Sequence, residues 1–124
     1  MPDYDSTRFS PPAPVALVTL RNPESGVVKA GVVMLLDTGA DVTLLPKGVA
    51  DELGLGRSAN SYQLVDFENR ASVAQAARAE MLFLGLTFRG QFLLAEQEWG
   101  IIGRNILNAL SLTYNGPKLS WDRS

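Results

Sequence analysis

Apolar residues along this chain gather in short runs punctuated by turn residues. Val15-Ala16-Leu17-Val18-Thr19-Leu20 is rich in strand formers and ends at the cluster Asn22-Pro23-Glu24-Ser25-Gly26, after which Val27 to Gly31 leads into a second run, Val32-Val33-Met34-Leu35-Leu36. Two strands joined as a hairpin are predicted. Val42 to Leu45 predicts a short strand. Pro46 suits a first helical position, and Val49 to Leu53 suits one or two helical turns stopped by Gly54. Gly54 to Asn60 reads as loop. Tyr62 to Phe67 and Ala71 to Ala77 flank Glu68-Asn69-Arg70 as the limbs and tip of a hairpin, although Ala74 to Leu82 is also composed of helix formers. Glu80 to Ala95 reads as strands turning at Gly85 or at Arg89-Gly90. Trp99 to Gly103 is a short buried strand between glycines, and Arg104 to Ala109 a short helix. Alternation on both sides of Asn115-Gly116, over Leu110 to Tyr114 and Pro117 to Trp121, predicts a closing hairpin. The sum is an all-β protein of many short strands with one or two short helices.

The chain has 124 residues, enough for one domain with a real core, and 46% of them are apolar. Met1 to Pro14 is polar and then proline-rich, which predicts a flexible or extended arm over 1–14 and a single folded domain over 15–124. Net charge is −2 with no run of like charges, so a basic footprint for nucleic acid or an anionic membrane is absent. No continuous apolar stretch has the length of a membrane span. The first residues lack a signal-peptide pattern, and the absence of cysteine fits a reducing compartment, so a cytoplasmic location is expected.

Lack of both cysteine and histidine removes thiol nucleophiles, disulfides, imidazole bases and the common zinc sites; no metal and no cofactor is expected. Chemistry is left to carboxylates, Lys, Ser, Thr or Tyr. One triplet then stands out: Asp37-Thr38-Gly39, set at the end of the apolar run Val32 to Leu36. A carboxylate placed there is costly unless it is paired, which marks a functional-site candidate. The triplet occurs once. Two such groups brought about 3 Å apart share one proton, so one serves as base and the other as acid. They can activate a water for amide hydrolysis with no covalent intermediate. A homodimer with its two-fold axis at Asp37 supplies that pair from one gene. Thr38 can hydrogen-bond and hold the loop, Gly39 permits a tight turn, and Ala40 leaves room for a peptide backbone.

Leu35-Leu36-Asp37-Thr38-Gly39-Ala40-Asp41, followed some sixty residues later by Ile101-Ile102-Gly103-Arg104-Asn105, resembles the retroviral-type aspartic proteases, the retropepsins, over roughly Val15 to Leu112. The resemblance implies a retropepsin-type fold, a closed barrel-like single domain with a flap hairpin. It implies a homodimeric endopeptidase acting on a peptide or protein substrate, with Asp37 catalytic in each subunit. Thr38 would bond across the dimer, and Gly39 and Asp41 would meet substrate. Asp41 would also pair with Arg104. Glu68, Asn69 and Arg70 would form the substrate-covering flap tip. Two features depart from the retroviral pattern. No glycine lies between Gly56 and Gly85, where the flap falls, and the tail after Asn105 is longer, which brings the chain nearer to the cellular and bacterial members.

Plainer roles compete. Asp37 can cap a turn, and Trp99, Phe67 and Tyr62 can pack at edges as readily as line a pocket. Glu96, Glu98 and the tip Arg70 read as solvated charges. The alternative to an enzyme is a catalytically silent dimeric module of the same fold, binding peptide or serving as a scaffold.

Overall fold

The structure is a computed structural model that describes residues 2–65 and 71–124. The chain runs β1 (Tyr4–Asp5), β2 (Ala13–Arg21), β3 (Val28–Leu36), β4 (Leu44–Pro46), α1 (Lys47–Glu52), β5 (Arg57–Val65), β6 (Ala71–Phe83), β7 (Leu86–Ala95), β8 (Gly100–Ile102), α2 (Arg104–Leu107), β9 (Leu112–Asn115) and β10 (Ser120–Arg123). The all-β expectation holds, with two short helices among the described residues.

Eight strands form one sheet in the order β1-β2-β3-β8-β4-β7-β6-β5, and a further pairing of β2 with β6 joins it into a ring of strands. Strand alternation fills the ring. Ala16, Val18 and Leu20 of β2, Val32, Met34 and Leu36 of β3, and Ala77, Ala79, Met81 and Phe83 of β6 all enter one buried cluster with Ile102 and Leu45. Their neighbours in sequence point outward.

Helix propensity over Ala74–Leu82 loses to tertiary pairing. Arg78 and Leu82 stay exposed while Ala77, Ala79 and Met81 are buried, a period of two. The same segment is hydrogen-bonded to β5, β7 and β2, a set of partners no helix would have. Glu80 breaks the alternation: it is buried and held by Arg21 of β2 and Arg89 of β7.

Several boundaries differ from expectation. β5 begins at Arg57, inside the segment read as loop, where it pairs with Ala77. Pro46 is the extended residue before α1 rather than its first helical residue, because it still lies in register with Ala95 of β7. Of the two turns read between Glu80 and Ala95, the one at Gly85 forms, as Leu84-Gly85, and Gly90 lies within β7.

The closing hairpin also forms, but Asn115 pairs with Ser120, so the turn is Gly116 to Leu119 rather than Asn115-Gly116. Pro117, with φ fixed, takes the second position of that turn. Leu119 N donates to Gly116 O at 3.0 Å, and the Asn115 side chain accepts from Lys118 N at 3.2 Å. This register buries Trp121, whose indole N–H donates to Val15 O at 2.9 Å.

Residues 2–14 lie along the folded body. Tyr4 and Asp5 pair with Pro14 and Ala13, Asp3 bridges to Ser120, and Tyr4 N donates to Leu119 O at 2.9 Å. Among the described residues no helix is long and apolar enough to cross a membrane.

Candidate active site

β3 and β8 run parallel, with Leu35 opposite Ile101 and Leu36 opposite Ile102. Asp37 is the next residue, and its N–H extends the ladder to Ile102 O at 3.0 Å. The chain then turns. Asp37 Oδ1 accepts from Gly39 N at 2.9 Å, and Ala40 N reaches Asp37 O at 3.2 Å. A Cβ on Gly39 would sit 3.1 Å from Asp37 Oδ1, so glycine lets the carboxylate fold over its own loop. Leu35 and Asp37 have the same parity along the strand, opposite to buried Met34 and Leu36. The carboxylate therefore leaves the core on the outer face and is half-buried.

Residues 102–105 clamp this loop from behind. Arg104 N donates to Ala40 O at 2.8 Å, and Arg104 Nη1 donates to Thr38 O at 2.8 Å. Thr43 Oγ1 donates to Asn105 Oδ1 at 2.8 Å and accepts from Gly103 N at 3.1 Å. The two segments come so close that a Cβ on Gly103 would overlap the Val42 backbone, and one on Gly100 would overlap Met34 and the Leu44 carbonyl. Two motifs far apart in sequence thus form one unit, and Gly100, the first residue of β8, and Gly103, just after it, permit the contact.

The predicted residues distribute unevenly. Asp37, Thr38, Gly39 and Ala40 lie together on the loop, and Arg104 lies against it. The expected Asp41–Arg104 ion pair is absent among the described residues: Asp41 is exposed, and the Arg104 guanidinium is committed to the Thr38 carbonyl. A carbonyl at 2.8 Å in the same loop is a better-placed acceptor than a solvated carboxylate. Glu68, Asn69 and Arg70 lie outside the described residues, as does Phe67. Tyr62 is exposed on β5, with its hydroxyl 3.3 Å from Gln91 Oε1. Glu96 is exposed and within 3.5 Å of Lys47 Nζ.

Thr43 and Asn105 were not singled out by the sequence as site residues, although both carry the clamp. The available signal was a buried-type position holding a hydroxyl, six residues after Asp37, with an amide directly after Gly103-Arg104.

Two cavities lie elsewhere on the fold, neither lined by Asp37 or by the residues that clamp its loop. One of about 480 Å³ lies between the β5–β6 limbs and the β4–β7 pair, lined by Leu44, Lys47, Leu64, Val73, Leu94 and Glu96 among others. The other, about 610 Å³, lies between residues 2–7 and β2, with Phe83, Leu84 and Trp121 at its floor.

No protein-family model and no curated protein matches the chain. Among solved structures it is similar to an EIAV protease complexed with the inhibitor HBY-793, at 22% identity and a TM-score of 0.59, covering 78% of this chain and 86% of that one. The chain has the fold of that retroviral protease.

Proposed function

We propose that the chain is an aspartic-type endopeptidase that works as a homodimer. The observation that carries this reading is the position of Asp37. It sits at the exit of a buried strand on the outer face of the ring, in a loop locked by Ile102 to Asn105 and therefore unable to drift. A single chain offers one such carboxylate; a second copy related by a two-fold axis offers the other.

Two carboxylates held about 3 Å apart hold one proton between them. The ionised one takes a proton from a water lying between them. The hydroxide so formed attacks the peptide carbonyl carbon while the protonated one donates to the carbonyl oxygen. Collapse of the tetrahedral species transfers a proton to the leaving amine and restores the shared proton. No metal and no covalent enzyme intermediate takes part. By the family resemblance, Thr38 bonds across the dimer, Gly39 and Asp41 meet the substrate backbone, and the β5–β6 hairpin covers an extended peptide. Fold likeness to a retroviral protease supports this assignment.

The test pairs a digest of an unbiased peptide library with sedimentation of the same preparation. Cleavage by the wild-type dimer and none by a folded Asp37→Asn dimer is expected. A chain that stays monomeric at every concentration, or an Asp37→Asn variant that still cleaves, refutes it.

A further inference from the structure

The closing hairpin places Asn115 at the last position of β9 and Gly116 at the first position of the turn. An asparagine followed by glycine has a reactive partner beside it. The backbone nitrogen of the following residue can attack the side-chain amide carbon, Cγ, and close a succinimide ring. A fold permits this where that N–H is free, where there is room around it, and where the amide oxygen has a donor to take up negative charge.

The structure meets each condition at Asn115. Among the described residues the Gly116 N–H has no acceptor, because the turn is closed by Leu119 N donating to Gly116 O instead. Gly116 is exposed, and nothing lies within 4 Å of where a Cβ would stand. Asn115 Oδ1 accepts from Lys118 N at 3.2 Å. That donor faces the oxygen on which charge gathers when Cγ is attacked, as an oxyanion donor does. The pair Asn115–Ser120 is also the rung nearest the turn, the part of a two-stranded sheet that opens most readily.

At Asn22, Asn105 and Asn108 the same chemistry is closed. Asn22 precedes Pro23, whose nitrogen carries no hydrogen. Asn105 and Asn108 are exposed, yet the N–H after each is held in or just after α2. Ile106 N donates to Gly103 O at 3.1 Å, and Ala109 N to Ile106 O at 2.9 Å.

We infer that Asn115 is a site of spontaneous modification in the folded protein, converted through a succinimide with Gly116 to aspartate and isoaspartate. The Gly116 nitrogen bonds to Cγ and gives up its proton, the Cγ–Nδ2 bond breaks, and ammonia leaves with that proton. Water then opens the ring with no change of oxidation state. Cleavage of the bond to Cγ yields aspartate with the ordinary main chain. Cleavage of the bond to the Asn115 carbonyl carbon yields isoaspartate, whose main chain runs through Cγ and is longer by one carbon. Both products add a negative charge.

The two products act differently on the hairpin. Aspartate keeps an oxygen for the Lys118 N–H and leaves the register of β9 on β10 intact. Isoaspartate displaces the Asn115–Ser120 rung, next to the Tyr114–Trp121 pair. Trp121 is buried, with its indole N–H on Val15 O at 2.9 Å and its ring centroid 6.1 Å from that of Phe83. Isoaspartate therefore loosens the hairpin that seats Trp121 against β2 and β6.

The experiment holds wild type, Gly116→Ala and Asn115→Asp folded at mildly alkaline pH and samples them by mass spectrometry over time. Trypsin releases Asn105 to Lys118 as one peptide, so Asn105, Asn108 and Asn115 are read side by side. Amide loss at Asn115 should run about tenfold or more ahead of that at Asn105 and Asn108, and Gly116→Ala should slow it by a similar factor. The product should accept a methyl group from an isoaspartyl methyltransferase. The rate should hold constant in urea below the unfolding transition, since opening of the hairpin tip suffices.

An Asn115 that keeps its amide as long as Asn105 and Asn108 overturns the inference. So does a rate that rises with urea in step with the unfolded fraction, which makes the reaction one of the unfolded chain. The isoaspartate fraction, separated by its added charge, should unfold at lower urea than wild type, with Asn115→Asp close to wild type. Equal midpoints for all three refute the effect on the hairpin.

Discussion

The Thr43 hydroxyl donates to the Asn105 side-chain oxygen at 2.8 Å and in the same position accepts the Gly103 N–H at 3.1 Å, joining residues 62 positions apart in the chain. Thr43 is 2% exposed and Gly103 is buried, so the bond from the Gly103 N–H has no competitor in water, while Asn105 itself is exposed. The hydroxyl ties the segment after the Asp37 loop to the residues that follow β8, alongside the Arg104 bonds to Ala40 O and Thr38 O.

Replacing Thr43 by Val keeps the volume and removes both bonds. The buried Gly103 N–H is then left without that partner, at a cost of about 1–3 kcal/mol, while the exposed Asn105 oxygen turns to water. Urea unfolding of Thr43→Val should show that loss, and Thr43→Ser should recover most of it. Peptidase activity should fall further than stability does, because the loop loses its brace under conditions where the barrel remains folded.

Gly103→Ala tests the close approach of the two segments. The added methyl meets backbone atoms of Val42, which cannot rotate away as a side chain can. The expected destabilisation is at least the 1–3 kcal/mol or so of an overpacked core. Gly116→Ala, with no atom within 4 Å of the added carbon, is the control and should change thermal stability little.

Asp37→Asn removes the charge and keeps the shape. Cleavage should drop on the order of 10²–10⁴-fold or more. Circular dichroism and the unfolding midpoint should stay close to wild type, since the amide oxygen can still accept from Gly39 N.

Acid should weaken the barrel at Glu80. Its carboxyl is held below the ordinary value of 4.5, first by the hydrogen bond from Arg89 and then by that from Arg21. A folded-state value below the unfolded one means the clamp stabilises the protein above about pH 4.5. The contribution fades as pH falls from there through the depressed value. Chemical denaturation at several pH values should therefore show Glu80→Gln less stable than wild type near neutrality, with the two curves converging in acid. The proposed carboxylate pair with one shared proton calls for mildly acidic conditions, so loss of this clamp should limit any peptidase activity at the acidic end.

Much of this was legible from local pattern. Val15–Leu20 and Val32–Leu36 carry their own alternation and β-branching, and the register of β2 on β3 follows from which residues must face inward. Asp37-Thr38-Gly39 was visible because a carboxylate after an apolar strand is chemically conspicuous. What stayed hidden was set by partners distant in sequence. Ala74–Leu82 is locally helical in composition and becomes a strand through β2, β5 and β7 together. Arg104 reads in sequence as the partner of Asp41, and only the folded loop brings the Thr38 carbonyl to its guanidinium instead. The turn at Gly116–Leu119 is fixed by the need to bury Trp121, which no four-residue window contains.

The ring of strands has a seam. β6 meets β7 over eight residue pairs, but it meets β2 over only three, Thr19 with Leu82, Leu20 with Met81 and Arg21 with Glu80. One of those three is the ionic clamp itself. The joints of β8 and β4 are as short, three pairs for β3–β8 and β4–β7 and one for β4–β8, whereas the β6–β7 ladder is long, so the amides of Thr19 and Arg21 should trade their protons for deuterium sooner than those along β6–β7.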